Sequence, residues 1–261
     1  MKNHHQPFLS RHLLLGALAL FPVLAGPLAA QAPDSTEPMG QKFASPKAAK
    51  TLRVLLVGSG SSHDFPKFFL GTDATTLKAA GGMDVAATPN LDEALALLPE
   101  ADVLVFSGNH DHYGKPEFQK ALNKFADDGK GLVMLHAATW EHPAWKGFND
   151  RFINGTTPGH DSYGDVTVTV TDATSPIMKG VSPSFTFKEE NYRTALKSKA
   201  KASILAENNP DANKVVHPSV WIVKDRKAKI VCITLGHDGS AHDSADYKAI
   251  LTNAVNWTAG R

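Results

Sequence analysis

Histidine is the residue whose number and placement in this chain call for a chemical explanation. Nine of its twelve histidines lie beyond residue 32, and five of those nine are followed directly by Asp: His63-Asp64, His110-Asp111, His160-Asp161, His237-Asp238 and His242-Asp243. With 18 Asp in the chain, chance predicts about 0.7 such pairs, so the excess needs a cause. Imidazole beside carboxylate supports two kinds of chemistry. Neutral imidazole and carboxylate oxygens together ligate a divalent cation, zinc above all. Alternatively, an imidazole that titrates near neutrality moves a proton while a carboxylate fixes its tautomer. Spacing leaves both open, because there is no His-Glu-x-x-His and His110-Asp111-His112 alone is a weak metal signal. For one pair taken singly, the plainer reading is an Asp that caps a helix beside an exposed loop His. For the set, a shared site is the better reading.

A shared site needs elements that bring the loops together. Short apolar runs at 52–57, 83–87, 103–106 and 131–135 alternate with stretches of helical spacing. Phe69, Leu70, Leu77 and Ala80 form one apolar face that stops at Gly81-Gly82. Asn90 with Glu93 reads as a capping box for a helix through Leu98, and Pro116 opens a helix with Phe118, Leu122 and Phe125 on one side and Gly129 as its stop. Four β-α repeats with short connections predict an α/β fold with a doubly wound, mostly parallel sheet. The second half adds β-rich structure: alternation over 166–170, a run at 185–188, and strands at 220–223 and 229–234 around the turn Asp225-Arg226-Lys227. Ser244 is read as the cap of a last helix carrying Tyr247, Ile250, Leu251, Ala254 and Trp257.

In an open sheet of this kind, ligands bind outside the carboxyl ends of the strands. His63, His110, His136 and His237 each follow or end a strand there. With His160, Asp64 and Asp238 from the same His-Asp pairs, they make up the candidate site. Trp140 and Trp145, just after the fourth strand, are placed to stack on a sugar face.

Composition bounds the rest. The 261 residues are 42% hydrophobic and 20% charged, enough for one large domain, and a formal charge of +1 offers no basic surface for nucleic acid. The lone Cys232, inside an apolar run, excludes an intramolecular disulfide and a thiolate metal cluster. Lys2 and Arg11 precede an apolar stretch at 13–25 and the small residues Ala29-Ala30-Gln31-Ala32, which predicts a secretory signal peptide over 1–32, cut after Ala30 or Ala32. The expected location is periplasmic or secreted, with no membrane attachment after cleavage. Residues 33–50, rich in Pro, Ser and Lys, read as a flexible linker to a folded domain over 51–261. No dinucleotide fingerprint, Walker motif or Gly-x-Ser-x-Gly elbow is present.

Several segments together resemble a known family. Lys130-Gly131-Leu132-Val133-Met134-Leu135-His136-Ala137-Ala138 resembles the G-G-L-V-x-x-H-A-A segment of the ThuA-like family, named for trehalose utilisation. Trp145-Lys146-Gly147-Phe148-Asn149, Gly159-His160-Asp161 and Thr234-Leu235-Gly236-His237-Asp238 are similar to its other motifs, and the likeness runs over about 52–259. Departures are Ser175 where the family has His before Pro-Ile, His217 at an often acidic position, and Glu189-Glu190-Asn191-Tyr192 for Asp-Glu-Leu-Tyr. The resemblance implies a class I glutamine amidotransferase-like, flavodoxin-like fold. His136 then stands at the elbow where those enzymes carry a nucleophilic Cys, so amidotransferase activity is not expected.

The resemblance also implies an enzyme acting on a sugar or 3-keto-glycoside by isomerisation, elimination or hydrolysis, with a small carbohydrate as its partner. On that footing His136 is expected as general base or metal ligand, with His63, His160 and His237 as metal ligands or proton-transfer partners. Glu190 would be the second acid/base group, Tyr192 a substrate contact, and a divalent metal, zinc first, a possible cofactor. Two alternatives stand beside it: a non-catalytic sugar-binding or scaffolding module, and a metallohydrolase of unrelated substrate.

Overall fold

The computed structural model describes residues 40–44, 46–108, 111–140, 142 and 145–261. The expected signal peptide (1–32), the start of the linker (33–39) and the candidate residue His110 lie outside the described residues. Among the described residues eleven strands are formed: β1 (Leu52–Val57), β2 (Met83–Thr88), β3 (Val103–Phe106), β4 (Gly131–Leu135), β5 (Gly155–Thr156), β6 (Gly164–Val170), β7 (Ser184–Glu189), β8 (Ala195–Leu196), β9 (Ala202–Asn208), β10 (Pro218–Lys224) and β11 (Lys229–Ile233). Nine of them make one sheet in the order β2-β1-β3-β4-β11-β10-β9-β6-β7, while β5 and β8 pair separately. From β2 to β11 every pairing is parallel. Beyond β11 every pairing is antiparallel, and this half holds the β-rich additions of the second half of the chain.

The parallel half forms because its strands are apolar on both faces. All six residues of β1 are buried; Leu52, Val54 and Leu56 face one core and Leu55 and Val57 the other. The helices α1 (Asp73–Ala79) and α6 (Ala245–Thr258) cover the first core, and α2 (Leu91–Leu97) and α3 (Pro116–Asp127) cover the second. That is the doubly wound arrangement the β-α alternation predicts. Two short helices, α4 (Lys146–Phe148) and α5 (Gly239–His242), lie in loops beyond strand ends. Among the described residues no helix is long and apolar enough to cross a membrane.

Local chemistry at the element ends follows the sequence with two corrections. Asn90 accepts the Glu93 N–H at 3.0 Å, but the reciprocal half of the capping box is not made. Glu93 Oε2 instead accepts from Thr88 Oγ1 at 2.6 Å and from the Gly40 N–H at 2.8 Å. Ser244 occupies the N-cap of α6 with extended backbone, yet its side chain makes no capping hydrogen bond. Within the 33–50 segment, Gln41 forms an antiparallel bridge with Ala87 at the sheet edge. The β10–β11 turn is fastened by Asp225 Oδ1, which accepts from Lys227 N at 3.0 Å and Ala228 N at 3.1 Å.

Candidate active site

The parallel strands β1, β4 and β11 end on the same edge of the sheet, and each delivers one histidine. His63 comes from the loop after β1, His136 directly follows β4, and His237 lies in the loop after β11. His63 Nε2 is 2.9 Å from His136 Nε2 and 3.1 Å from His237 Nδ1. The fourth group comes from the far end of the sheet. Four strand spacings separate β11 from β7, about 19 Å in a flat sheet, yet Glu189 at the end of β7 accepts from Gly236 N at 2.6 Å. The antiparallel half therefore coils back over the carboxyl edge. Glu190 Oε2 then lies 3.2 Å from His237 Nδ1, 3.6 Å from His136 Nε2 and 3.8 Å from His63 Nε2. One ligand atom from each of the four residues falls within 4.8 Å of the others.

His136 occupies a strained elbow. Its φ is +38°, a left-handed conformation that costs a non-glycine residue about 1–3 kcal/mol. The ring is fully buried, Tyr192 stacks on it at 4.5 Å, and Nδ1 donates to the Thr234 carbonyl at 2.5 Å. A carbonyl only accepts, so the proton sits on Nδ1. Burial, reinforced by the neighbouring His63, holds the ring neutral by lowering its pKa to about 4. Nε2 thus presents a bare lone pair to the cluster.

Burial works to raise Glu190, but the imidazoles of His136, His237 and His63 gathered around it outweigh burial and keep this carboxylate ionised. Glu190 is also the first cause of the raised pKa of His237. Behind the cluster, fully buried Glu189 is pushed up to about 7 by its burial, although the N–H groups of Gly236, Glu190 and His237 all bond to it.

This donor set fits a divalent cation. Tetrahedral zinc with ligand distances of about 2.0–2.1 Å has edges of roughly 3.3 Å; the five edges that meet at His63 Nε2 or Glu190 Oε2 run from 2.9 to 3.8 Å, and the whole set lies within 4.8 Å. A carbonyl acceptor behind His136 and the Ser62 hydroxyl 2.8 Å from His63 Nδ1 orient two of the rings, as partners behind metal ligands do.

The expected ligand set needs one change. Glu190 takes the fourth position, and His160 stands outside it, with Nε2 3.5 Å from Glu190 Oε1 and its side chain 35% exposed. Its Nδ1 donates to the Asp161 carbonyl at 2.7 Å, which leaves Nε2 available for a proton. Trp140 lies at the border, its ring 5.7 Å from His160 and 5.4 Å from Tyr192. Tyr192 is buried and meets His136 Nε2 through its hydroxyl at 3.1 Å, so it backs the cluster.

Three candidates do local work instead. Trp145 packs on Phe148 and Phe152 in the second core because 145, 148 and 152 share a helical face. Asp64 caps the Lys67 N–H at 3.1 Å, and Asp238 caps Ser240 N at 2.8 Å. Of the departing positions, Ser175 caps Ile177 and His217 pairs with Asp211 at 3.2 Å. Tyr163 was not visible from sequence reasoning: it is 43% exposed, its ring lies 5.0 Å from His237, and its hydroxyl donates to Asp238 Oδ2 at 2.6 Å.

A separate open concavity lined by Asp150, Arg151, Asp225 and Arg226 is a surface ion-pair network. Arg226 and Arg151 both donate to Asp127 Oδ1 at 2.7 Å, and these hydrogen bonds lower Asp127 to about 2. An unfolded Asp titrates near ~3.9, so this stabilisation is complete above that pH and is lost as pH falls through about 2. In unfolding scans between pH 4 and pH 2, Asp127→Asn is therefore expected to lose less stability than the wild type; equal losses would remove Asp127 from the acid response.

A family model described as ThuA, trehalose utilisation, matches residues 44–258. No curated protein matches the sequence. Among solved structures, a ThuA-like protein from Parabacteroides merdae superposes with a TM-score of 0.68 at 19% identity, over 80% of this chain and 90% of its own. PurLQS from Thermotoga maritima gives 0.55 at 10% identity, over 79% of this chain and 99% of that one. The carbohydrate deacetylase Agd3 gives 0.55 at 13% identity, over 80% of this chain and 32% of that one. At these identities the likeness speaks for the fold, which is class I glutamine amidotransferase-like.

Proposed function

The chain belongs to the ThuA family, and on that footing we propose that it is an exported carbohydrate-processing enzyme for a sugar or 3-keto-glycoside, with a divalent metal ion, zinc first, as its cofactor. The observation that carries this reading is the convergence of His63 Nε2, His136 Nε2, His237 Nδ1 and Glu190 on one point at the carboxyl edge. These four residues would hold the ion. When bound, it supplies Lewis acidity toward a carbonyl or hydroxyl oxygen of the sugar.

The chain's own groups account for the remaining chemistry. A keto group at C3 acidifies the adjacent C–H bonds, so a modest base suffices to begin isomerisation or loss of the glycosidic substituent. His160 is the base in this reading: it lies outside the ligand set, its Nε2 is unclaimed by a carbonyl, and Glu190 Oε1 is 3.5 Å away. Tyr163 and Trp140 border the cluster and offer flat apolar faces to a sugar ring. The elbow carries an imidazole, and the single thiol lies fully buried in β11, raised in pKa by that burial, so acyl transfer through cysteine finds no nucleophile among the described residues. The family description, trehalose utilisation, and the carbohydrate deacetylase activity of Agd3 agree with a sugar substrate.

The test is direct. Zinc-loaded protein is offered 3-keto-trehalose and trehalose, and product is followed by mass spectrometry and NMR. Conversion of the keto sugar is expected, and Tyr163→Ala should raise KM about two- to tenfold with less effect on kcat, since a stacking face contributes about 0.5–1.5 kcal/mol. No conversion of either sugar by metal-loaded protein would overturn the substrate assignment.

A further inference from the structure

His237 is the most exposed of the four converging residues, at 25% of its side chain against 14% for Glu190, 5% for His63 and none for His136. Its placement therefore rests on its backbone, and the Gly236–His237 segment is held from two directions. Glu189 takes the N–H groups of Gly236 and His237 at 2.6 and 3.1 Å. On the other side, His242 Nε2 donates to the Gly236 carbonyl at 3.0 Å. His242 Nδ1 is 2.7 Å from Asp73 Oδ1, and the Tyr247 hydroxyl donates to Asp73 Oδ2 at 3.1 Å.

Asp73, His242 and Tyr247 come from three different helices and are fully buried. Both nitrogens of His242 confront acceptors, so the ring that satisfies both is an imidazolium with Asp73 as its counter-ion. For His242, burial lowers its pKa and the charge and hydrogen bond of Asp73 raise it by more; burial pulls the other way on Asp73, raising it against the pull of His242, so the two-acceptor geometry is what assigns the proton to the ring. Phe68 stacks on the ring at 5.4 Å and Phe69 meets it edge-on at 4.7 Å. Gly236 itself has φ +123°, and a Cβ there would come within 3.3 Å of His242 Nε2 and the Tyr247 oxygen. The carbonyl is thus approached as closely as a glycine permits.

A buried ion pair loses several kcal/mol of hydration per ion and is often no more stabilising than apolar residues of the same volume. Stability alone gives little reason to keep one here. We propose that Asp73 and His242 are positioning residues that lock the Gly236–His237 segment, so that His237 Nδ1 points into the cluster. The consequence for metal affinity rests on the metal reading above; the effect on His237 itself does not.

Two variants of the full chain, Asp73→Asn and His242→Gln, test this. The first readout is the imidazole nitrogen NMR shifts of His237 in metal-free protein, assigned by their loss in His237→Ala. The second is Co²⁺ affinity by calorimetry, with the visible spectrum of the cobalt-loaded protein. Partners behind metal ligands typically contribute 10–100-fold in affinity, so Asp73→Asn should weaken Co²⁺ binding by that factor, alter the visible bands and move the His237 shifts. His242→Gln keeps a donor toward Gly236 and should fall between Asp73→Asn and the wild type, and it decides the matter if Asp73→Asn fails to fold. Folded variants with wild-type His237 shifts and Co²⁺ affinity within twofold would overturn the proposal. A wild-type chain that binds no Co²⁺ would sink the metal reading alone, because the His237 shifts still decide for or against the positioning role.

Discussion

His136→Ala is expected to leave a folded protein that has lost its bound metal and at least two to four orders of magnitude in turnover. The geometry gives the reason for both losses. His136 is the innermost of the converging residues, its Nε2 lone pair is held in place by the Nδ1–H bond to Thr234, and no other described side chain replaces it at the end of β4. Removing a ligand from the four-residue set removes the ion, and the Lewis acidity such an ion supplies is worth several kcal/mol, or about two to four orders of magnitude in rate. Folding should survive. The change strips the Thr234 carbonyl of one buried donor, about 1–3 kcal/mol, or roughly 2–12 °C in melting temperature for a domain of this size. Circular dichroism, a thermal scan, metal content and kcat/KM on one preparation check all of it. A variant with wild-type turnover would remove His136 from the chemistry.

The second large effect belongs to Glu190. It is the only ionised carboxylate among the four, facing three imidazoles. Glu190→Gln keeps the shape and removes the charge; taking one partner from a mostly buried charged set costs about 2–5 kcal/mol, so zinc affinity should drop by a factor of about 30 to several thousand. His160→Ala supplies the contrast. With His160 outside the ligand set, its variant should bind one equivalent of zinc as the wild type does while losing rate. The reverse result, metal lost from His160→Ala and kept by Glu190→Gln, would restore the ligand set expected from the sequence.

That exchange of His160 for Glu190 shows what the sequence could and could not convey. The β-α alternation from β1 to β4 was readable because buried parallel strands are continuous apolar runs, and the rule that ligands gather at carboxyl ends then brought His63, His136 and His237 to one edge. The excess of His-Asp pairs pointed to two of the three clustered histidines, His63 and His237, but not to His136, which Ala137 follows. Asp64 and Asp238 cap turns, Asp161 accepts from Arg193 at 3.1 Å, and His242 pairs with Asp73, distant in sequence, instead of its neighbour. The carboxylate in the cluster arrives from β7, across four antiparallel strands, through the coiling of the sheet. No local pattern encodes that approach; only the resemblance of residues 189–192 to a family motif singled out Glu190.

Two other misses have plainer causes. β9 (Ala202–Asn208) lacks clean alternation, since its burial runs from half-buried residues to an adjacent buried pair at Leu205 and Ala206. The spacing of Trp145, Phe148 and Phe152 is that of a helix face, a signal for packing that outweighs proximity to the elbow.

The whole account turns on whether the four converging residues hold a cation. Titrating metal-free wild-type protein with Zn²⁺ by calorimetry, alongside His63→Ala as the control, measures that directly. The account predicts saturation at one equivalent with submicromolar affinity in the wild type, and loss of that site in His63→Ala. A flat titration of the wild type, or one unchanged by the substitution, would contradict it.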